Sequence, residues 1–310
     1  MDSSPASSLG EFSGRSVTLH SLLRPHDFDH AASAPGRTNW SVAVSVGYGN
    51  IWATEPDRYT VDGEWMFTDV RISRGITETL EAGVFLPFSY RTSGFLDDEI
   101  EDFHDAFGLD QDRRDEFPRD RLNFYVDRES RALFDPDDSS YGINDIPVYL
   151  NWRVRRETDD APSLVLQPRI TLPAGDKEIA EGLGTASVGL ALLTSKRLGT
   201  TAHRVHASID ASYADTDTWN GIPINETMYA GTFVWEYRWS GRTSLIAEYQ
   251  VVSGLTDTDD NWSDPAHHIT AGLKRRTARG LLLECGLQEN LFTYNNSTDV
   301  ALRFALSANF

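Results

Sequence analysis

From residue 300 to 310 the chain alternates with period two. Val300, Leu302, Phe304, Leu306, Ala308 and Phe310 fall on one side, and Ala301, Arg303, Ala305, Ser307 and Asn309 on the other. A strand with one face against an apolar medium has this pattern. It recurs in Trp40, Val42, Val44, Val46 and Tyr48, and again in Leu80, Ala82, Val84, Leu86, Phe88 and Tyr90. Ile146 to Val154, Leu164 to Leu172, Val205 to Tyr213 and Tyr229 to Trp239 repeat it at every second position. Weaker strands are predicted near 64–74, 188–195, 243–252, 267–275 and 281–288, which brings the number to twelve. In the 64–74 strand the phase breaks at Thr68-Asp69 and predicts a bulge.

The seven clearest apolar rows hold 38 residues and no Asp, Glu, Lys or Arg in a chain that is 24% charged. A random draw would place about nine charges there. The opposite rows carry Glu81, Asp145, Arg153, Arg155, Arg169, Arg204, Asp210, Glu236, Arg238 and Arg303. A soluble sandwich also has one polar face, but two features favour a membrane. Connections after even-numbered strands are brief, whereas those after odd-numbered strands are mostly long and acidic. Trp40, Trp152, Trp239 and Phe310 fall at the short-turn rim, and Tyr48, Trp52, Tyr90, Tyr213 and Tyr229 approach the other. Short turns opposite long loops, with aromatics at both rims, is the pattern of bacterial barrels. The fold class expected is all-β: a single antiparallel transmembrane β-barrel of about twelve strands in the cell outer membrane.

The net charge of −19 argues against a nucleic-acid partner. Cys285 is the one cysteine, so no disulfide framework exists. No apolar run is long enough for a spanning helix, which does not bear on strands. Residues 1–38, rich in Ser, Ala, Pro and Gly, read as a polar N-terminal arm, and residues 39–310 as the barrel. The arm lacks the apolar core of a secretory signal, so an outer-membrane location expects a signal trimmed from this sequence or a different start.

An insert at 91–140 interrupts the strand pattern. Within it Leu96, Ile100, Phe103 and Phe107 recur at helical spacing among six acids, which predicts an amphipathic helix. Its apolar stripe could pack on its own loop, cap the mouth, rest on lipid headgroups or fold inward as a plug.

The same region, Phe95-Leu96 with Phe103-His104-Asp105 and Phe107-Gly108, then Arg114-Asp115-Glu116-Phe117-Pro118-Arg119, resembles a Gram-negative family known as domain of unknown function 3187. Leu172-Pro173-Ala174-Gly175-Asp176-Lys177, Gly182-Leu183-Gly184-Thr185 and Leu193 to Gly199 resemble it too. The Pro-x-Gly-Asp and Gly-rich arrangement is more weakly similar to barrels of aromatic-degradation transporters. The resemblance implies an outer-membrane barrel and nothing about activity.

His206, Ser208 and Asp210 share one strand face, and the His-x-Ser spacing resembles twelve-stranded outer-membrane phospholipases. Their pair faces lipid, whereas this row faces inward and lacks the Ser-Asn-Gly continuation. A nucleophile also needs an oriented base and oxyanion donors. Polar lining is the preferred reading, with no catalytic residue, metal or cofactor expected. The predicted pore-lining residues are Arg153, Arg155, Arg169, His206, Asp210, Glu236, Arg238, Glu248 and Arg303. Their charges could form a positive wall facing a negative one, or pair directly and block the path. The leading function is a channel or transporter for small molecules. A non-conducting structural barrel comes second and a lipid hydrolase third. Expected partners are outer-membrane lipid and lipopolysaccharide, a small solute, and the barrel-assembly machinery through the strand ending at Phe310.

Overall fold

The computed structural model describes residues 8–24, 39–55, 58–108, 117–126, 131–132, 139–258, 260–292 and 296–310. Twelve strands form the wall: β1 (Trp40–Glu55), β2 (Tyr59–Gly75), β3 (Leu80–Thr92), β4 (Ile146–Arg155), β5 (Ser163–Leu172) and β6 (Ser187–Arg197), then β7 (His203–Ala214), β8 (Thr227–Ser240), β9 (Thr243–Val252), β10 (Ala266–Arg276), β11 (Leu282–Asn290) and β12 (Asn296–Asn309). Each pairs antiparallel with the next, and β12 pairs with β1, so the cylinder is closed. At the seam Val42 lies opposite Ala308 and Tyr48 opposite Leu302. Trp40 and Phe310 exchange two backbone hydrogen bonds of 3.1 and 2.8 Å. Closure removes the open edges that a bilayer cannot solvate.

The apolar rows point outward. Ile209 is 65% and Phe233 51% exposed, while Ser208, Asp210 and Glu236 on the same two strands are buried. Trp40, Trp152, Trp239 and Phe310 ring the short-turn rim, and Tyr213 and Tyr229 stand exposed near the other. An exposed aliphatic band between aromatic belts is the surface of a membrane-spanning barrel.

Three local expectations are corrected. β2 pairs with β1 without a break from Trp40–Arg74 to Glu55–Tyr59, so no bulge interrupts Thr68-Asp69. The phase changes there because Trp65 and Phe67 are inward and packed on the barrel's contents, so the inner row itself turns apolar. Trp52 is buried rather than in an aromatic belt, with the Phe117 ring edge-on at 5.0 Å. Arg155 is exposed and does not line the lumen. A bulge between Arg153 and Arg155 moves it out of the inward phase, and its Nε donates to the Pro162 carbonyl at 2.9 Å.

The insert helix α2 (Asp97–Phe107) lies against the outward row of the wall near the long-loop rim. The Phe95 and Leu96 amides donate to Glu64, and Asn50 Nδ2 donates to Asp97 at 3.2 Å. His104 Nε2 stands 3.9 Å from Glu289, which shares the outward row of β11 with Leu283 and Leu287. Ile100 is buried beneath the helix, and Leu96 and Phe103 are half-buried. The Phe107 side chain, and residues 109–116, 127–130 and 133–138 of the insert, lie outside the described residues. Through the Phe95 and Leu96 amides, Asp97 and His104 the start and body of the helix are therefore tied to Glu64, Asn50 and Glu289 of the wall.

Residues 8–24 of the N-terminal arm occupy the lumen. Residues 9 and 11–24 are buried within the cylinder. The chain runs from Ser8 near the short-turn rim to Arg24 at the long-loop rim, where Arg24 donates to the Asn225 and Glu226 carbonyls at 2.5 and 2.9 Å. A single short helix turn in the lumen, α1 (Leu19–Leu23), is capped by Thr18, whose hydroxyl accepts from the Ser21 amide at 3.0 Å. Residues 1–7 and 25–38 of the arm lie outside the described residues.

Candidate functional site

The lumen segment is held at three levels. Nearest the long-loop rim the contacts are apolar. Val17, Leu19, Leu22 and Leu23 join Tyr59, Trp65, Phe124, Trp219 and Trp262 in one buried cluster. Tyr59 and Trp262 stack with ring centres 3.5 Å apart, and Phe124 sits 5.6 Å from Trp219. Each buried leucine contributes about 1.5–3 kcal/mol by leaving water. Gly47 lets Val17 approach closely beneath this cluster, since a Cβ there would come within 2.7 Å of Val17 Cγ2 and force one of the two to shift.

In the middle the contacts are polar and largely to the backbone. Four wall carboxylates each accept a main-chain N–H from the segment: Glu236 from Leu9 at 3.0 Å, Glu248 from Phe12 at 3.3 Å, Glu284 from Ser13 at 2.8 Å and Asp69 from Arg15 at 3.2 Å. Two wall cations take its carbonyls, Lys274 that of Glu11 and Arg303 that of Gly14 at 2.7 Å. Arg15 is the one cationic side chain of the segment at this level. Its Nε lies 3.0 Å from Asp69, and another guanidinium nitrogen donates to Asn144 Oδ1 at 2.7 Å. Charge-assisted hydrogen bonds such as these are stronger than neutral ones, and they satisfy groups that burial would otherwise leave costly.

Six of the nine predicted pore-lining residues pair directly with one another. Arg169 makes a two-pronged contact with Asp210 at 2.5 and 2.6 Å, and Arg303 lies 3.1 Å from Glu248. Gly189 leaves room for Arg169, since a Cβ there would meet its Cζ at 2.5 Å. His206 stands between two carboxylates, 3.2 Å from Glu236 of the wall and 3.3 Å from Glu11 of the segment. Its ring nitrogens are thus directed at Glu236 and Glu11, and Asp210 is directed at Arg169, so His206, Ser208 and Asp210 form no nucleophile–base relay. Arg153 and Arg238 are half-buried nearer the short-turn rim. The reading of a positive wall facing a negative one gives way to direct pairing between the walls.

Sequence reasoning missed Asp69, Lys274, Glu284 and the segment residues Glu11, Ser13 and Arg15. The wall residues carried a usable signal, since Lys274 and Glu284 alternate with the outward Leu273 and Leu283. The segment carried none, because its side chains show no periodicity.

Toward the short-turn rim the lumen opens into a cavity of about 580 Å³, roofed by Ser8, Leu9, Gly10 and Ser13. At the edge of this cavity Arg204 pairs with Glu157 of the turn between β4 and β5. Burial alone would raise the Glu157 pKa, but the Arg197 amide at 2.7 Å and the Arg204 guanidinium hold it below the ordinary carboxylate range.

The sequence profile of a family described as "Protein of unknown function (DUF3187)" matches residues 24–310. No curated protein matches the chain. Among solved structures, the COG4313 outer membrane channel from Pseudomonas putida F1 superposes with a TM-score of 0.59 at 12% identity, covering 90% of this chain and 98% of that one. The NanC porin gives 0.46 at 8% identity, with coverage of 86% and 97%. The P. putida toluene transporter TodX gives 0.44 at 10% identity, with coverage of 89% and 91%. The likeness to the COG4313 channel shows the outer-membrane barrel fold.

Proposed function

We propose that this chain, which belongs to the DUF3187 family, is an outer-membrane channel for small polar molecules whose N-terminal segment is a displaceable plug. One observation carries this reading. The segment is gripped through its backbone by Asp69, Glu236, Glu248, Glu284, Lys274 and Arg303, all of them side chains of a wall that is already closed without it. An apolar inner row would dewet once the segment left. A polar inner row can instead be rehydrated once the segment leaves, and it then lines an aqueous path.

The apolar cluster under the long loops favours a second reading, a barrel that stays shut. Conductance and solute uptake in liposomes separate the two, comparing the full chain with one lacking residues 1–24. The channel reading expects low conductance from the full chain, a large increase on deletion, and block by a synthetic peptide of residues 8–24. A deletion variant that keeps its heat-resistant gel mobility yet conducts no better than the full chain would overturn it.

A further inference from the structure

The cavity at the short-turn rim has a charge opposite to that of the whole protein. Its described lining contains six cations, Arg71, Arg153, Arg156, Arg204, Lys274 and Arg276, and two carboxylates, Glu81 and Glu157. Glu157 is engaged by Arg204, and Glu81 accepts from Asn151 Nδ2 at 2.9 Å, while Lys274 pairs with Glu284 and Arg156 with Glu78, each at 3.0 Å. Among the described residues, neither Arg153 nor Arg276 has a carboxylate within ion-pairing distance, and both are half-buried. The rim around the cavity has the same sign. Residues 74–81, 153–160, 196–204, 238–242 and 274–279 hold thirteen Arg and Lys against five Asp and Glu, in a chain of net charge −19.

Like charges brought together in a partly enclosed space repel one another, and low-dielectric walls focus their field. Such a cluster is stabilised by an anion that the guanidinium groups can bind through paired hydrogen bonds. The Ser41, Ser73 and Ser195 hydroxyls of the same lining add neutral donors.

We propose that this cavity is a binding site for a small soluble anion bearing phosphate or carboxylate groups, which enters from the short-turn side. The site lies below the lumen segment and is formed with that segment in place. It therefore does not depend on the channel conducting, and the two proposals can fail separately.

The test is calorimetric titration of the full chain, folded in non-ionic detergent, with inorganic pyrophosphate, and then with citrate as a carboxylate probe. Binding is expected at low salt and should weaken at high salt, as screening requires. Replacing both Arg153 and Arg276 by Gln should lower the affinity by about tenfold or more, since each removes a charge-assisted hydrogen bond. Arg275→Gln is the control, because Arg275 is exposed and points outward from the same rim; it should leave the affinity unchanged. Unaltered gel mobility on heating establishes that each variant is folded. Absence of binding by both probes at low salt would overturn the proposal, as would an equal loss in Arg275→Gln. Competition by phosphatidylglycerol in nanodiscs would also overturn it, because that would place the anion on the outer rim.

Discussion

The Arg15 guanidinium lies 3.0 Å from the Asp69 carboxylate, with 0% and 3% of the two side chains exposed. One belongs to the segment inside the barrel and the other to β2 of the wall. Arg15 also covers the Phe67 ring at 4.1 Å, so charge and packing converge on a single latch. Removing one partner of a buried pair costs about 3–5 kcal/mol, because the other is left uncompensated. Asp69→Ala should therefore loosen the segment without opening the wall. Planar-bilayer recording should show a higher open probability, and a conductance identical to that of the parent would count against the latch.

Gly47 and Val17 provide a packing test of the same seat. Gly47→Ala places a Cβ where the structure allows 2.7 Å to Val17 Cγ2, and overpacking of this kind costs about 1–3 kcal/mol. The variant should expose residues 8–24 to faster hydrogen exchange. Combining it with Val17→Ala removes the clashing methyl and should restore part of the protection. Equal exchange in all three forms would mean that the contact does not hold the segment.

The two faces of the wall should respond differently to charge. Phe233→Arg puts a cation into hydrocarbon and should cost about 2–4 kcal/mol in urea refolding. Ser208→Arg lies on the inward row of β7 and keeps its charge out of hydrocarbon. Ser208 is 8% exposed in an occupied lumen, so its arginine variant should keep the barrel but raise conductance by displacing the contents. Equal refolding losses in the two variants would contradict the assigned phase.

Phe310 donates its amide to the Trp40 carbonyl at 2.8 Å and accepts from the Trp40 amide at 3.1 Å. Deleting it removes the last rung of the closing seam and leaves backbone groups unpaired at the membrane edge. Assembly in cells should slow, read as a lower yield of heat-resistant barrel. We propose that the assembly machinery engages this strand, and an unchanged yield would exclude that role.

Glu157 supplies a pH dependence whose sign is fixed by its environment. Its pKa lies below the ordinary value in the folded state, so its contribution to stability is complete above the unfolded carboxylate pKa and is lost as pH falls through the folded one. Acidification should release Arg204 and increase anion binding at the rim cavity. Glu157→Gln should bind pyrophosphate more tightly than the parent at neutral pH and lose that acid dependence. A parent whose affinity is flat across the acidic range would show that the pair does not govern the site.

The wall was legible because alternation is a local property. Whether Ile209 or Ser208 meets lipid depends on which side of one strand it occupies, and the sequence displays that directly. Near the long-loop rim the rule weakened, because Trp65, Phe67 and Trp52 are apolar residues covered by other parts of the protein. There apolar character no longer marks the lipid face. The insert helix was also visible at 97–107 from its spacing, but its location outside the wall was not, since an apolar stripe does not specify what covers it.

By itself the sequence determined the closed antiparallel barrel, the inward and outward rows of most strands, the short-turn and long-loop rims and the aromatic belts. Tertiary structure alone decided what fills the lumen. Leu9 and Glu236 are 227 positions apart, Ser13 and Glu284 are 271 apart, and the segment between Ser8 and Arg24 has no pattern that names its partners. Many of its polar contacts are backbone amides and carbonyls, which every residue carries, meeting side chains brought together only when β12 closes on β1. Pairing of Arg169 with Asp210 was decided in the same way, because these residues lie on β5 and β7 and meet across the intervening strand only in the curved wall.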